Sequence, residues 1–118
     1  MEKEFYCNTQ IRVKEKNSKV EGYFGRGVAA LLHGIETHQS LNLSAKQMGM
    51  AYSKAWRIMR QAEEVLGIQL LYRMGKKGSR LTPEGERFLA VYDEAEGKAS
   101  QVVNEIFRKH YQENLERD

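Results

Sequence analysis

Between residues 42 and 66, the hydrophobic and polar positions predict two short helices joined by a tight turn. The first helix is expected from about Leu43 to Met48, with Asn42 as its N-cap. Gly49 lies where that helix would end in a left-handed residue, and Gly67 closes the second helix, at about 53–66, in the same way. This succession of elements is typical of a helix-turn-helix.

The second of these helices has one apolar face and one basic face. At helical spacing, its apolar positions are Ala55, Ile58, Met59, Ala62, Val65 and Leu66. Ser53, Arg57 and Arg60 fall on the opposite side, and Lys54 and Trp56 fall on the flanks. A DNA-reading helix requires this arrangement, because it presents cations to the groove while its apolar face stays docked. An ordinary amphipathic helix with solvated charges would show the same pattern, so both interpretations stay open.

The N-terminal part of the chain alternates between apolar and charged residues. Ile11 and Val13 are separated by cations, residues 16–19 are polar, and apolar residues then return. We expect a β-hairpin over residues 10–24, with strands near 10–14 and 20–24, that covers one side of the core.

A first core helix is expected next, up to about His38. Its apolar residues recur at helical spacing and are Val28, Leu31, Leu32 and Ile35. His33 and His38 are five residues apart, so they do not share a face, and we expect no metal site there.

Residues 70–82 predict a strand, a basic glycine-containing loop and a second strand, which together form a wing. Gly75 and Gly78 let the loop bend without steric cost. Lys76, Lys77 and Arg80 would reach neighbouring phosphates or the minor groove. A basic loop is weak evidence alone, but it is stronger directly after a helix-turn-helix.

A long helix is predicted over residues 83–112, with Thr82 as its N-cap and Pro83 in its first turn. Its apolar residues repeat every seven positions and are Phe88, Tyr92, Ala95, Ala99, Val102 and Ile106. The helix could pack on its own domain, but it would overhang so small a core. We therefore expect a homodimer in which two such helices pair through these residues.

Composition and charge indicate which class of partner the chain could bind. The chain has 118 residues, is 41% hydrophobic and contains no apolar run long enough to cross a membrane. Its net charge of +3 is the sum of +1 over residues 1–43, +6 over 44–80 and −4 over 81–118. A basic middle segment indicates a polyanionic partner. The N-terminus does not resemble a signal peptide, and Cys7 is the only cysteine, so a cytoplasmic location is expected.

Nothing in the sequence indicates an enzyme. No nucleophile, base and acid, paired cysteines or phosphate-binding glycine motif can be placed on one surface, and no cofactor is expected. Glu63 and Glu64 are interpreted as exposed solubilising charges.

A family resemblance rests on a run of motifs along the chain. They are Gly25-Arg26-Gly27, Leu31-Leu32, Ala45-Lys46, Gly49-Met50, Tyr52, Ala55-Trp56, Leu66-Gly67 and Leu81-Thr82-Pro83-Glu84-Gly85. Over residues 10–110 the chain resembles the N-terminal DNA-binding domain of ModE-type molybdate-responsive regulators, which is similar to that of LysR-type regulators. Ala51 departs from the capping serine usual there, so one expectation is a helix start capped by Ser53.

The resemblance implies a single winged helix-turn-helix domain over residues 1–118 that binds operator DNA as a dimer. The implied DNA-contacting residues are Tyr52, Ser53, Lys54, Trp56, Arg57 and Arg60 on the recognition helix and Lys76, Lys77 and Arg80 on the wing. For Trp56, packing within the domain is favoured slightly over DNA contact. The chain ends where the family's oxyanion-binding domains would begin, so no bound molybdate or metal is expected. The alternative function is a winged-helix protein-interaction module that does not read DNA.

Overall fold

The computed structural model describes residues 3–17, 19–73 and 78–112. Its elements are α1 (Arg26–His38), α2 (Leu41–Gln47), α3 (Tyr52–Leu66), β1 (Leu71–Arg73), β2 (Ser79–Leu81) and α4 (Pro83–Phe107). A π-helical segment, Arg108–Gln112, continues α4. The expected mainly helical winged helix-turn-helix with a small sheet is confirmed. No helix in these described ranges is both long and apolar enough to span a bilayer.

The start of α2 differs from the expected cap at Asn42. The cap is Ser40, whose hydroxyl oxygen accepts a hydrogen bond from the Leu43 amide at 3.1 Å. The helix therefore begins two residues before the expected start at Leu43. The earlier start buries Leu41 and Ala45, each 1% exposed, on one helical face against α1.

The close approach of α1 and α2 depends on Gly34. A Cβ atom on Gly34 would lie 2.0 Å from the Ser44 hydroxyl oxygen. That hydroxyl is buried and donates a hydrogen bond to the Leu31 carbonyl at 2.8 Å. Only glycine leaves room for this contact, which holds α2 close against α1.

α3 begins at Tyr52, immediately after Ala51. No side chain caps its first turn, so the expected Ser53 cap is not formed. The helix ends at Gly67 in the left-handed conformation, with φ 68°. Its buried residues are Ala55, Met59, Ala62 and Val65. These side chains lock one face of α3 into the core, so the opposite face points to solvent.

The wing is an antiparallel pair in which Leu71 is opposite Leu81. Both leucines are buried, which attaches the base of the wing to the core. The Ser79 amide also donates to the Gln39 carbonyl at 3.0 Å, which ties β2 to the connection between α1 and α2. Packing and hydrogen bonds together hold the wing beside the helix-turn-helix.

The N-terminal part forms less β-structure than the expected hairpin over residues 10–24. Val13 and Phe24 make one antiparallel bridge, with N···O distances of 2.8 and 2.9 Å, and no strand extends from it. Gly22 has φ 114°, which is outside the extended conformation and interrupts a second strand. Phe24 is nevertheless fully buried, so this segment does cover one side of the core as expected.

Residues 5–11, which we call the N-terminal strap, run along α4. The Asn104 side chain binds both the amide and the carbonyl of Cys7, the latter at 3.1 Å. The Glu96 carboxylate accepts hydrogen bonds from the Thr9 hydroxyl and, at 3.2 Å, from the Ile11 amide. The strap therefore occupies one side of α4 beyond the domain core.

The strap corrects the expected role of Tyr92 in a dimer seam. Tyr92 is 5% exposed, its ring packs 5.0 Å from that of Phe24, and its hydroxyl donates to the Ile11 carbonyl at 3.0 Å. Burial raises the pKa of the Tyr92 phenol above its usual value, which keeps the hydroxyl protonated as a donor. Phe88 also packs on Phe24, with ring centroids 4.7 Å apart. A heptad pattern predicts that one face of a helix is buried, but it does not show whether a partner helix or the chain's own N-terminal segment covers that face.

Candidate nucleic-acid interface

The solvent-facing side of α3 carries the basic residues that were predicted there from the sequence. Ser53, Lys54, Arg57 and Arg60 are all exposed. Together with Trp56, Gln61 and Glu64, three of them line a shallow groove of about 410 Å³. The groove is open to solvent and bounded by arginine side chains. Its chemistry suits an anionic, hydrogen-bonding ligand that lies along the helix.

Arg57 and Arg60 keep their charge available. Among the residues that the structure describes, neither arginine forms an ion pair with a carboxylate. Glu64 lies on the same face as the arginines but is not within ion-pair distance of either one. Both guanidinium groups can therefore bind phosphate or guanine without first breaking a salt bridge.

Trp56 connects the core to the exposed face. It is half-buried and packs against the hydrophobic core. The Arg60 guanidinium carbon lies 6.0 Å from the Trp56 ring centroid, at the outer limit of a cation–π contact. The Tyr52 ring meets Trp56 edge-on at 6.2 Å. Trp56 therefore contacts both Arg60 and Tyr52, and part of its ring remains exposed to solvent.

The wing contributes one described residue to the expected set of cations. Arg80 is exposed on β2, whereas Lys76 and Lys77 lie outside the described residues. Of the three expected wing cations, the structure therefore places Arg80, which lines a surface hollow with residues of α1 and α4. The assignment of the other two stays a prediction.

Glu63 has a structural role that the sequence interpretation missed. One carboxylate oxygen of Glu63 accepts hydrogen bonds from the Leu70 amide at 2.7 Å and the Leu71 amide at 3.3 Å. The carboxylate thus joins α3 to the first residues of the wing. A signal was available, since Glu63 falls at helical spacing beside the apolar Met59, whereas Glu64 falls beside the exposed Arg60.

The apolar surface left on α4 lies apart from the strap. Val91, Val102 and Ile106 are 60%, 54% and 50% exposed, and Ala95 is also exposed. Successive members are separated by four, seven and four residues, so they form one stripe along the helix. Ala99 is half-buried at the margin of this stripe. We call these residues the α4 stripe.

His33 binds carboxylates on the surface. Its two ring nitrogens lie 3.2 Å from Glu36 and 2.8 Å from Asp93. These contacts connect α1 to α4. No group of three potential metal-binding side chains occurs in the described part of the chain.

Comparison with known proteins shows which family this domain resembles. The model of the bacterial regulatory helix-turn-helix protein, lysR family, matches residues 29–86, from α1 to the first turn of α4. Residues 29–86 are therefore similar to the helix-turn-helix domain of that family. No curated protein sequence matches the chain significantly.

Solved structures of another protein, BenM, are similar to this chain over most of its length. The BenM DNA-binding domain in complex with catB site 1 DNA is 26% identical, with a TM-score of 0.60, over 74% of this chain and 92% of that chain. The same domain with benA site 1 DNA is 26% identical, with a TM-score of 0.59, over 72% and 94%. A mutant of full-length BenM is 27% identical, with a TM-score of 0.57, over 70% of this chain but 27% of that chain.

Proposed function

We propose that this chain is a sequence-specific, double-stranded-DNA-binding transcription regulator that acts as a homodimer. The observation that carries the proposal is the exposed face of α3, where Arg57 and Arg60 form no ion pair with any described residue, in a segment that matches the lysR-family helix-turn-helix. The similar BenM domain was solved on DNA at two different sites, which supports duplex DNA as the ligand.

The recognition helix would enter the major groove with its exposed side. Arg57 and Arg60 would read bases, because a guanidinium group can address guanine O6 and N7 together. Tyr52, Ser53 and Lys54 would contact the backbone at the helix N-terminus, where amide groups also favour phosphate. Lys76, Lys77 and Arg80 would contact phosphates from the wing.

The α4 stripe would pair with the same stripe of a second copy. The 25 residues of α4 span about 38 Å at 1.5 Å per residue, which is longer than the domain core requires. Its exposed Val91, Val102 and Ile106 are unusual on a free helix but ordinary in a helix pair, and Ala95 permits close approach. Dimerisation would place two recognition helices on an inverted repeat, about 34–36 Å apart.

A closer relationship to ModE-type domains is part of the proposal. Its support is the Gly49-Met50 pair followed by Tyr52 and Ala55-Trp56, which resembles the motif of that family. The comparison with known proteins supports the broader LysR-type assignment.

The first test is fluorescence-anisotropy binding to duplex DNA from upstream of the chain's own gene and to a scrambled duplex, at two salt concentrations. Tighter binding to the upstream duplex, weakening steeply with salt, is the expected result. Equal binding to both duplexes would call for selection of a site from a random library. No binding to any duplex at low salt would overturn the proposal and favour the protein-interaction module.

Single substitutions separate base reading from phosphate binding. Arg57→Ala should weaken specific binding by about 5- to 150-fold, the loss of about 1–3 kcal/mol expected for a bidentate base contact. It should affect the scrambled duplex much less. Lys77→Ala should instead weaken binding to all sequences and lower the salt slope by about one. Lys98→Ala on α4 is the matched control and should change neither quantity. Equal losses of Arg57→Ala on both duplexes would refute its role as a base reader.

A further inference from the structure

The two flanks of α3 are each attached to a different segment of the chain. Glu63 and Gln61 lie on opposite sides of the exposed face, roughly 160° apart at about 100° per residue. Glu63 binds the start of the wing, as described above. Gln61 packs against Gly22, where a Cβ atom would lie 3.0 Å from the Gln61 Cβ. The recognition helix is therefore flanked by the wing and, on its other side, by the N-terminal segment.

We call this second flanking segment, residues 12–23, the N-terminal arm. It is fixed at its base rather than free, because Val13 and Phe24 form the β-bridge and Phe24 is fully buried. Gly22 adopts φ 114°, a conformation that L-residues rarely take, and so brings the backbone close against Gln61. The base of the arm is therefore held against the side of α3.

The arm carries four exposed cations, Arg12, Lys14, Lys16 and Lys19. In the described part of the chain, none of them is paired with a carboxylate. Arg12 lies 4.8 Å and Lys14 lies 6.0 Å from the centroid of the Tyr23 ring. This contact directs both side chains to the outer surface without neutralising their charge.

The arm also contains Glu15 and Glu21, so its net charge is +2. The cations therefore outnumber the acids on a segment that has no catalytic or metal-binding group. The adjoining groove on α3 is bounded by Arg57 and Arg60, which makes the arm an extension of the same positive surface. Residues 44–80, whose net charge of +6 indicated a polyanionic partner, do not include the arm.

We propose that the N-terminal arm is a second phosphate-binding element, on the opposite side of the recognition helix from the wing. Its ligand is the sugar-phosphate backbone of the duplex that α3 would bind, so the inference rests on the proposed function. With a recognition helix in a major groove about 12 Å wide, elements on its two flanks face the two opposite strands. The wing would hold one strand, and the lysines of the arm would hold the other.

The test compares the salt dependence of binding for the full chain and for a triple variant, Lys14→Gln, Lys16→Gln and Lys19→Gln. If each lysine neutralises one phosphate, the slope of log affinity against log salt falls by about 2.7 per protomer. Between 50 and 200 mM salt, the full chain would then lose about 40-fold more affinity per bound protomer than the variant. The ratio of specific to scrambled binding should stay unchanged, because phosphate contacts carry no sequence information.

The matched control removes three cations far from the arm, with Lys98→Gln, Arg108→Gln and Lys109→Gln on the α4 side. Its salt slope should equal that of the full chain. Equal thermal unfolding midpoints for all proteins would show that the fold is intact, as expected for exposed side chains. A converse variant, Glu15→Gln, removes a repulsive acid and should tighten binding at low salt about 2- to 4-fold, corresponding to one charge.

The outcomes separate this inference from the proposed function. If the full chain binds DNA and the arm variant has the same salt slope, the arm inference is wrong and the proposed function stands. If the control variant lowers the slope as much as the arm variant, the effect reports net charge alone, and the arm inference is again wrong. If the full chain binds no duplex, both proposals are overturned.

Discussion

Replacement of Glu63 by alanine should detach the wing from the recognition helix and destabilise the domain. The Glu63 carboxylate satisfies two backbone amides, at 2.7 Å for Leu70 and 3.3 Å for Leu71. These two residues are only 0% and 2% exposed, so water cannot readily replace the lost acceptor. A buried donor left without a partner costs about 1–3 kcal/mol. The expected loss in free energy of unfolding is therefore about 2–6 kcal/mol, near the lower end because the Leu71 bond is long.

Glu64→Ala is the matched control for this prediction. Glu64 is the next residue in the same helix, is exposed, and makes no hydrogen bond in the described structure. Both substitutions change helix propensity equally, so the difference between them isolates the hydrogen bonds. Urea denaturation followed by circular dichroism measures both free energies. Glu63→Gln keeps one acceptor oxygen and should fall between the two. A Glu63→Ala loss within about 0.5 kcal/mol of the Glu64→Ala value, the usual range for a surface change, would refute the reasoning.

Two further predictions concern the dimer and the helix packing. Val102→Glu places a charge in the α4 stripe and should convert a dimer to monomers in sedimentation experiments. The control Gln101→Glu lies on another face of α4 and should leave the dimer intact. A Val102→Glu variant that stays dimeric would exclude this stripe as the interface. Gly34→Ala should lower the free energy of unfolding by about 1–3 kcal/mol, because its Cβ would lie 2.0 Å from the Ser44 hydroxyl. Gly27→Ala, in the same helix with no atom within 4 Å of the added Cβ, should be neutral or stabilising in the same denaturation assay.

The recognition helix could be predicted because its signals are local. Its apolar stripe repeats at helical spacing, and Gly67 ends it as expected. The start of α2 could not be predicted as well, because Ser40 and Asn42 are equally good caps. The choice between them depends on whether Leu41 is buried, and that is decided by the packing of α2 on α1.

The expectations for the N-terminal part and the long helix were limited for a different reason. The alternation around Val13 correctly indicated a segment that covers the core, but pairing stops at one bridge. The heptad pattern correctly indicated an apolar face on α4, yet Tyr92 contacts its own chain. The first outcome depends on the backbone conformation of Gly22, and the second on a contact between residues 81 positions apart, neither of which local periodicity encodes.

The attachment of the strap to α4 also sets the order in which this protein can fold during synthesis. The hydrogen bonds between Cys7 and Asn104 join residues 97 positions apart. At about 5–20 residues per second, the ribosome needs about 5–20 s to make the chain between them. By the end of that interval all residues of the helix-turn-helix core have been made, whereas Phe5 and Tyr6 have had no complete α4 to pack on. The helix-turn-helix can therefore fold before the N-terminal strap has its binding site on α4.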